Sequence, residues 1–319
     1  MVFELHMADC SLQQFAHSHP PAALLAFSVS ARMFWPYFAG VALLAIGLPI
    51  IIKNELPQAH GLDKIMPFGR LFFAIPMVVF AAQHFASAKL VALLVPSWIP
   101  AHLFWVYLVG TALIAAALSI ILKRQAQLAA TLLGIMLFLF VVLLHIPKVV
   151  VNPRDRFAWA VPLRDLAFSG GAFAFAGAQM KARPTDGVPR LVTFGRFLVA
   201  IPAVFFGVEH FLHPEFAPGV PLNKLTPTWI PVRPLWAYLV GAVLVAAGAS
   251  IIVNKKARSA ATYLGIMILF LCLFIYLPIV VAIPSDIGNG LNYFVDTLLF
   301  SGAALVLADA LPKEGHPHA

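Results

Sequence analysis

The chain has 319 residues, of which 61% are hydrophobic and only 11% charged, against roughly 45–50% apolar and about 25% charged in a soluble domain. With a mean hydropathy of +0.92 it cannot clothe its apolar surface in water-facing charge, and with two cysteines it is neither a disordered chain nor a disulfide scaffold. The net charge of +8 falls in short clusters between apolar runs rather than in a stripe interleaved with aromatics, which points to anionic lipid and away from nucleic acid.

In chain order, residues 1–31 form a poorly structured lead-in. Glu4 and Asp9 sit where a secretory signal needs positive charge, and Met33 offers a later start. Nine runs then approach the roughly 20 apolar residues needed to span a bilayer: 32–53, 68–86, 102–122, 126–147, 160–180, 191–212, 233–253, 258–282 and 291–311. Continuous apolarity, without the ten-residue alternation of a barrel strand, predicts helices. Short loops rich in Pro, Gly and charge separate them, such as NELPQAHGLDK (54–64) and KARPTDGVPR (181–190). Of the lysines and arginines, 13 fall on one side of this alternation and 8 on the other. The positive-inside rule then predicts a cytoplasmic C-terminus and an outside N-terminus, in a bacterial inner membrane.

The segment FGRLFFAIPMVVFAAQHF (68–85) returns as FGRFLVAIPAVFFGVEHF (194–211), with a spacing of 126 between His84 and His210. WIPAHLFWVYLVGTALIAAALSII (98–121) returns as WIPVRPLWAYLVGAVLVAAGASII (229–252) at a spacing of 131, so the second copy carries five extra residues in its outer loop. Over 98–136 against 229–267, 22 of 39 positions are identical, and the copies end on FSGGAF (168–173) and FSGAAL (300–305). These matches predict a tandem duplication of a four-helix unit. An even number of spans per unit makes the repeats parallel, unlike inverted transporter repeats. The run 34–53 matches 104–123 at 11 of 20 positions, a partial third copy. The expected organisation is the lead-in, an extra helix and loop (32–66), unit 1 (67–186), unit 2 (187–311) and a tail (312–319). The fold class is thus all-α integral membrane, two tandem four-helix bundles plus one leading transmembrane helix, and the repeats could pack as a pseudo-dimer.

The paired segments resemble the DoxX-like family of four-helix membrane proteins, once per copy across about 67–311. The resemblance rests on Arg70 and Arg196, on Gln83-His84-Phe85 and Glu209-His210-Phe211, on the Gly- and Ala-rich second span, and on RQAQLAATLLG (124–134) and KKARSAATYLG (255–265). Many members carry an acidic residue in the second span; residues 112–119 contain none. The resemblance implies a four-helix bundle, and for some members a place in a thiosulfate:quinone oxidoreductase or beside a redox enzyme.

Ionisable groups within spans call for a functional hypothesis. His84 and His145 end two spans of the first copy; Glu209-His210 and Tyr276 occupy the corresponding places in the second, with His213 three residues beyond His210. Imidazole can hydrogen-bond a quinone, pass a proton or ligate a metal or haem; it can equally cap a helix or bond a neighbouring one. His84, His145, His210, Glu209 and Gln83 are therefore the candidate ligand-binding residues, with no metal site expected. Arg70 and Arg196 are candidates for lipid or anion contact, or for snorkelling. Trp98, Trp105, Trp229 and Trp236 fit an interfacial belt, Pro76 and Pro202 a shared bend or hinge, and Gly40, Gly110 and Gly241 close helix approach. Cys10 and Cys272 form no CxxC, and there is no Walker A, HExxH, GxSxG or dinucleotide-binding GxGxxG motif. Three readings stand. The first is a redox-associated membrane subunit binding a quinone or docking a redox partner protein. The others are a non-catalytic scaffold and a transporter with a polar path through Ser119, Thr131, Ser250 and Thr262.

Overall fold

The computed structural model describes residues 22–180, 188–219 and 229–313, and every regular element in them is helical. They are α1 (Ala22–Asn54), α2 (Met66–Ala86), α3 (Ala88–Ala92), α4 (His102–Leu122), α5 (Ala126–Phe140), α6 (Ile146–Val151), α7 (Arg156–Ala178), α8 (Arg190–Leu212), α9 (Arg233–Ile252), α10 (Ala257–Leu271), α11 (Leu277–Ala282) and α12 (Asn292–Ala310). Eight spans among the described residues are long and apolar enough to cross a membrane, so the protein is built as a polytopic membrane protein. The fifth of the nine expected spans, 160–180, is a full 23-residue helix, Arg156–Ala178, but falls outside that set; Arg156, Arg164 and Asp165 dilute its apolarity. Its polar groups survive because it lies inside the protein, with most of its length buried. The lead-in also differs from expectation at its end: α1 starts at Ala22. Residues 1–21, which include Cys10, lie outside the described set.

The tight turns between α4 and α5 and between α9 and α10 are made the same way. Lys123 and Gln125 in the first, and Asn254 and Lys256 in the second, have φ between 50° and 58°. Such left-handed residues let a chain reverse between two helices in a few residues. Beyond α5 and α10 the helix loosens into single π turns, Val141–His145 and Cys272–Tyr276. Pro147 and Pro278 follow each π turn by two residues. Proline cannot donate to the carbonyl four residues back and its ring crowds that carbonyl, and an extra residue in the turn relieves both faults.

The long helices close a ring. Each of α2, α4, α5, α7, α8, α9, α10 and α12 packs on the next, α12 returns to α2, α7 meets α12 across the middle, and α1 lies outside against α2. The fourth helix of each expected unit packs mainly on the first helix of the other: α7 packs most extensively on α8, and α12 packs far more on α2 than on α8. Small residues make these crossings. A Cβ at Gly170 of α7 would fall 2.8 Å from the Gly195 carbonyl oxygen of α8, and one at Gly302 of α12 would fall 2.5 Å from the Phe73 backbone nitrogen of α2. At the centre, a Cβ at Gly171 would lie 2.7 Å from that of Ala303. The FSGGAF and FSGAAL segments are thus where helices approach backbone to backbone, the usual membrane solution where hydrophobicity gives no drive for helix association. Ser169 and Ser301 reinforce them, donating to the carbonyls of Gly134 (2.8 Å) and Gly265 (2.7 Å).

Candidate functional site

Two ends of the ring carry polar groups. At one, Arg70 forms an ion pair with Glu55, and Lys123 lies 3.3 Å from the same carboxylate. Arg70 is 4% exposed and donates to the Ile120 carbonyl (3.4 Å), so its charge is spent inside the protein. Arg196 differs: its guanidinium lies 4.9 Å from the Phe197 ring centroid and its Nε is buried without a hydrogen-bond partner. Nearby, Arg258 donates to the carbonyls of Ala308 (3.0 Å) and Leu311 (2.8 Å) and to Asp63 (3.2 Å). Asp63, Arg258, Ser259 and Lys313 line a cavity of about 240 Å³ there.

The opposite end holds the histidines, and with them a buried network on residues the sequence reading passed over. His145 Nε2 lies 3.1 Å from Asp165 Oδ2. Arg164 donates from Nε (2.9 Å) and Nη2 (2.8 Å) to the other oxygen of Asp165, and from Nη1 to Asp296 (2.7 Å). Arg164, Asp165 and Asp296 are all buried. Aligning FSGGAF on FSGAAL sets Arg164 of α7 opposite Asp296 of α12, so the central ion pair joins matching positions of these two similar segments. His145 sits in the π turn at the end of α5, beside exposed Val142, Leu143 and Ile146. The network therefore runs from the protein's axis to its lipid-facing rim.

The other candidates surround it. Gln83 donates to Asn292 Oδ1 (2.7 Å), tying α2 to α12, and Glu209 pairs with Arg156 (3.3 Å), tying α8 to α7. His84 Nδ1 lies 2.8 Å from the Phe80 carbonyl oxygen and His210 Nδ1 2.6 Å from that of Phe206. A carbonyl only accepts, so in both rings Nδ1 carries the proton, and Nε2 of the neutral ring offers a lone pair. His210 Nε2 accepts from the Gly219 backbone N–H (3.1 Å). A Cβ at Gly219 would strike the Tyr276 hydroxyl, and its φ of 153° suits glycine. His213 turns away to Glu215 (3.3 Å), with its side chain 36% exposed.

Phe85 and Tyr107 stack at 5.8 Å beside His84, and Phe211 and Tyr238 at 6.0 Å beside His210; all four rings are exposed. Trp98, Trp105, Trp229 and Trp236 are exposed too. Pro76 and Pro202 lie within α2 and α8. Cys272 is buried, its thiol on the Phe294 carbonyl (3.3 Å). Thr131 and Thr262 donate to their own helices, at the carbonyls of Gln127 and Arg258, and so contribute little to a polar path. Among the described residues no three His, Cys, Asp or Glu side chains converge as a metal site would require. No protein-family model, curated protein or solved structure matches the chain.

Proposed function

We propose that the protein is a redox-associated membrane subunit that binds a quinone headgroup at its histidine end. The observation that carries this reading is the His145–Asp165–Arg164–Asp296 chain, a buried charged network ending on a histidine at the lipid-facing rim. Intramembrane charge is costly, and it persists where protons or polar ligands are handled. The residues present suit such a headgroup. His145 is oriented by the Asp165 carboxylate, His84 offers a lone pair, and the Phe85–Tyr107 stack offers a flat apolar wall. A bound quinone would supply two-electron chemistry coupled to protons; the chain's part is to hold the ring and to take or give a proton at His145. Access would be from the bilayer, as suits a hydrophobic molecule.

The same proposal covers the chain's kinship and orientation. The repeated segments and the equivalent π turns, serine bonds and histidine bonds support a duplicated DoxX-like unit with parallel copies, its first and fourth helices exchanged between copies. The basic-residue bias supports placing the histidine end outside and the C-terminus in the cytoplasm of a bacterial inner membrane.

The test is a lipid extract of protein purified in mild detergent, analysed by mass spectrometry. Quinone near one per chain, reduced at least tenfold in His145→Ala, is the expected result. Phospholipid alone would remove the reading and leave a scaffold that holds a partner protein.

A further inference from the structure

We infer that Arg196 anchors a site for an anionic phospholipid, with its guanidinium holding the lipid phosphate and the open face of α8 holding the acyl chains. This is independent of the quinone reading. Two similar segments, FGRLFFAIP (68–76) and FGRFLVAIP (194–202), put Arg70 and Arg196 at matching positions of α2 and α8. The two arginines meet opposite circumstances. Arg70 is 4% exposed, pairs with the Glu55 carboxylate from the turn after α1 and donates to the Ile120 carbonyl. Arg196 has neither a carboxylate nor a hydrogen-bond acceptor among the described residues, and its guanidinium lies 4.9 Å from the Phe197 ring centroid. Simple snorkelling would give the whole charged head to water, yet Nε is buried without a partner. A cation partly shut off from water and paired with nothing calls for an anion, and the Nη nitrogens are the donors left for one to reach.

The helix faces beside the two arginines differ as well. Under α1, Leu71 and Val79 of α2 are 1% and 2% exposed, and a Cβ at Gly47 of α1 would lie only 2.6 Å from the Leu71 side chain. Phe197 and Phe205 stand at the matching places in α8, and this face is open: Phe197 is 36% exposed and Ile201 47%. Rings in these places hold off a helix at the spacing that Gly47 allows against Leu71, whereas flexible acyl chains, as apolar as leucine, can fill the uneven surface. Depth along the helix agrees. α8 begins at Arg190, so Arg196 lies about 9 Å along its axis, and its side chain leaves the backbone tilted toward the helix start. The guanidinium thus reaches back to the membrane boundary, where lipid phosphates lie, while Ile201 and Phe205 run on into the hydrocarbon. Phosphate matches it because a planar guanidinium offers paired N–H donors to two oxygens at once. A zwitterionic headgroup brings its own cation to the same place; an anionic one does not. For Arg70 the protein supplies the anion; for Arg196 the bilayer does.

The experiment titrates the full chain in mild detergent with phosphatidylglycerol and separately with phosphatidylcholine, reading bound lipid per chain by native mass spectrometry. The first phosphatidylglycerol should bind about tenfold more tightly than phosphatidylcholine, and Arg196→Ala should erase that preference. Arg190→Ala, which removes an exposed charge from the same helix, should change the phosphatidylglycerol Kd by less than about twofold. The preference of the unaltered protein needs no variant, so a misfolded Arg196→Ala does not shelter the inference. Equal binding of the two lipids, or equal losses in Arg190→Ala and Arg196→Ala, would overturn it. So would complete displacement of phosphatidylglycerol by inorganic phosphate, which would mean an anion site with no use for the acyl chains. A photocrosslinking residue at Ile201 gives a second reading in native membranes: adducts to phospholipid are expected, and adducts to protein alone would overturn the inference in favour of a partner helix.

Discussion

Replacing Arg164 with alanine should destabilise the protein more than any other single polar substitution at the histidine end. The guanidinium is 4% exposed and makes three charge-assisted hydrogen bonds, two to Asp165 at 2.9 and 2.8 Å and one to Asp296 at 2.7 Å. Its removal leaves two buried carboxylates without the guanidinium that binds both. Breaking a buried ion pair from one side costs about 3–5 kcal/mol, or a fall on the order of 10 °C in apparent melting temperature at about 2–4 °C per kcal/mol. Asp296→Asn keeps the two Asp165 bonds and removes a charge rather than stranding one, so about 1–2 kcal/mol is expected. Thermal unfolding followed by far-UV circular dichroism in one detergent compares the variants. The double variant Arg164→Ala with Asp296→Asn should cost less than the sum of the singles by about 1–3 kcal/mol. An Arg164→Ala protein within about 0.5 kcal/mol of the parent would refute the account of the central pair.

Three further predictions concern close packing and a second buried ion pair. Gly302→Ala and Gly170→Ala place a methyl against the Phe73 backbone and the Gly195 carbonyl, and each should cost about 1–3 kcal/mol; tolerance of both in the same melting assay would argue against these close crossings of α12 on α2 and α7 on α8. Gly219→Ala sets a Cβ against the Tyr276 hydroxyl at a φ of 153°, so proteolysis within 213–219 should accelerate several-fold while the global transition moves by at most about 1–2 kcal/mol. Arg70→Ala should cost about 3–5 kcal/mol, since it strands Glu55 beside Lys123 alone. Arg196→Ala, lacking any ion pair in the described residues, should cost less than about 1 kcal/mol through its ring contact; equal losses would mean the two matching arginines do the same work.

The helices were legible because bilayer-length apolar runs and Pro/Gly punctuation are local signals. The histidines stood out because ionisable groups are rare in such runs. The central network was hidden for two reasons. Arg164 lies near the start of its helix, where a sequence reading counts it among loop charges, and its partner Asp296 is 132 residues away, beyond any local spacing rule. One signal could have found it: the alignment ending on FSGGAF and FSGAAL sets Arg164 against Asp296, opposite charges at matching positions of two similar segments. The pairing of α7 with α8 and of α12 with α2 could not be read at all, because apolar helices of similar composition satisfy several pairings equally. Glycines that permit close approach decide between them, and their effect depends on neighbours distant in sequence. Arg70 shows the same limit: its burial depends on Glu55, placed by the turn after α1.

The most direct test of the quinone site is photolabelling with an azido-quinone in native membranes, with labelled peptides mapped by mass spectrometry. The account predicts adducts within 80–86, 104–108 and 141–148, with labelling suppressed by excess decylubiquinol and lost in His84→Ala with His145→Ala. Adducts concentrated around Asp63 and Arg258 at the opposite end, or spread evenly over lipid-facing helices and indifferent to competitor, would contradict it.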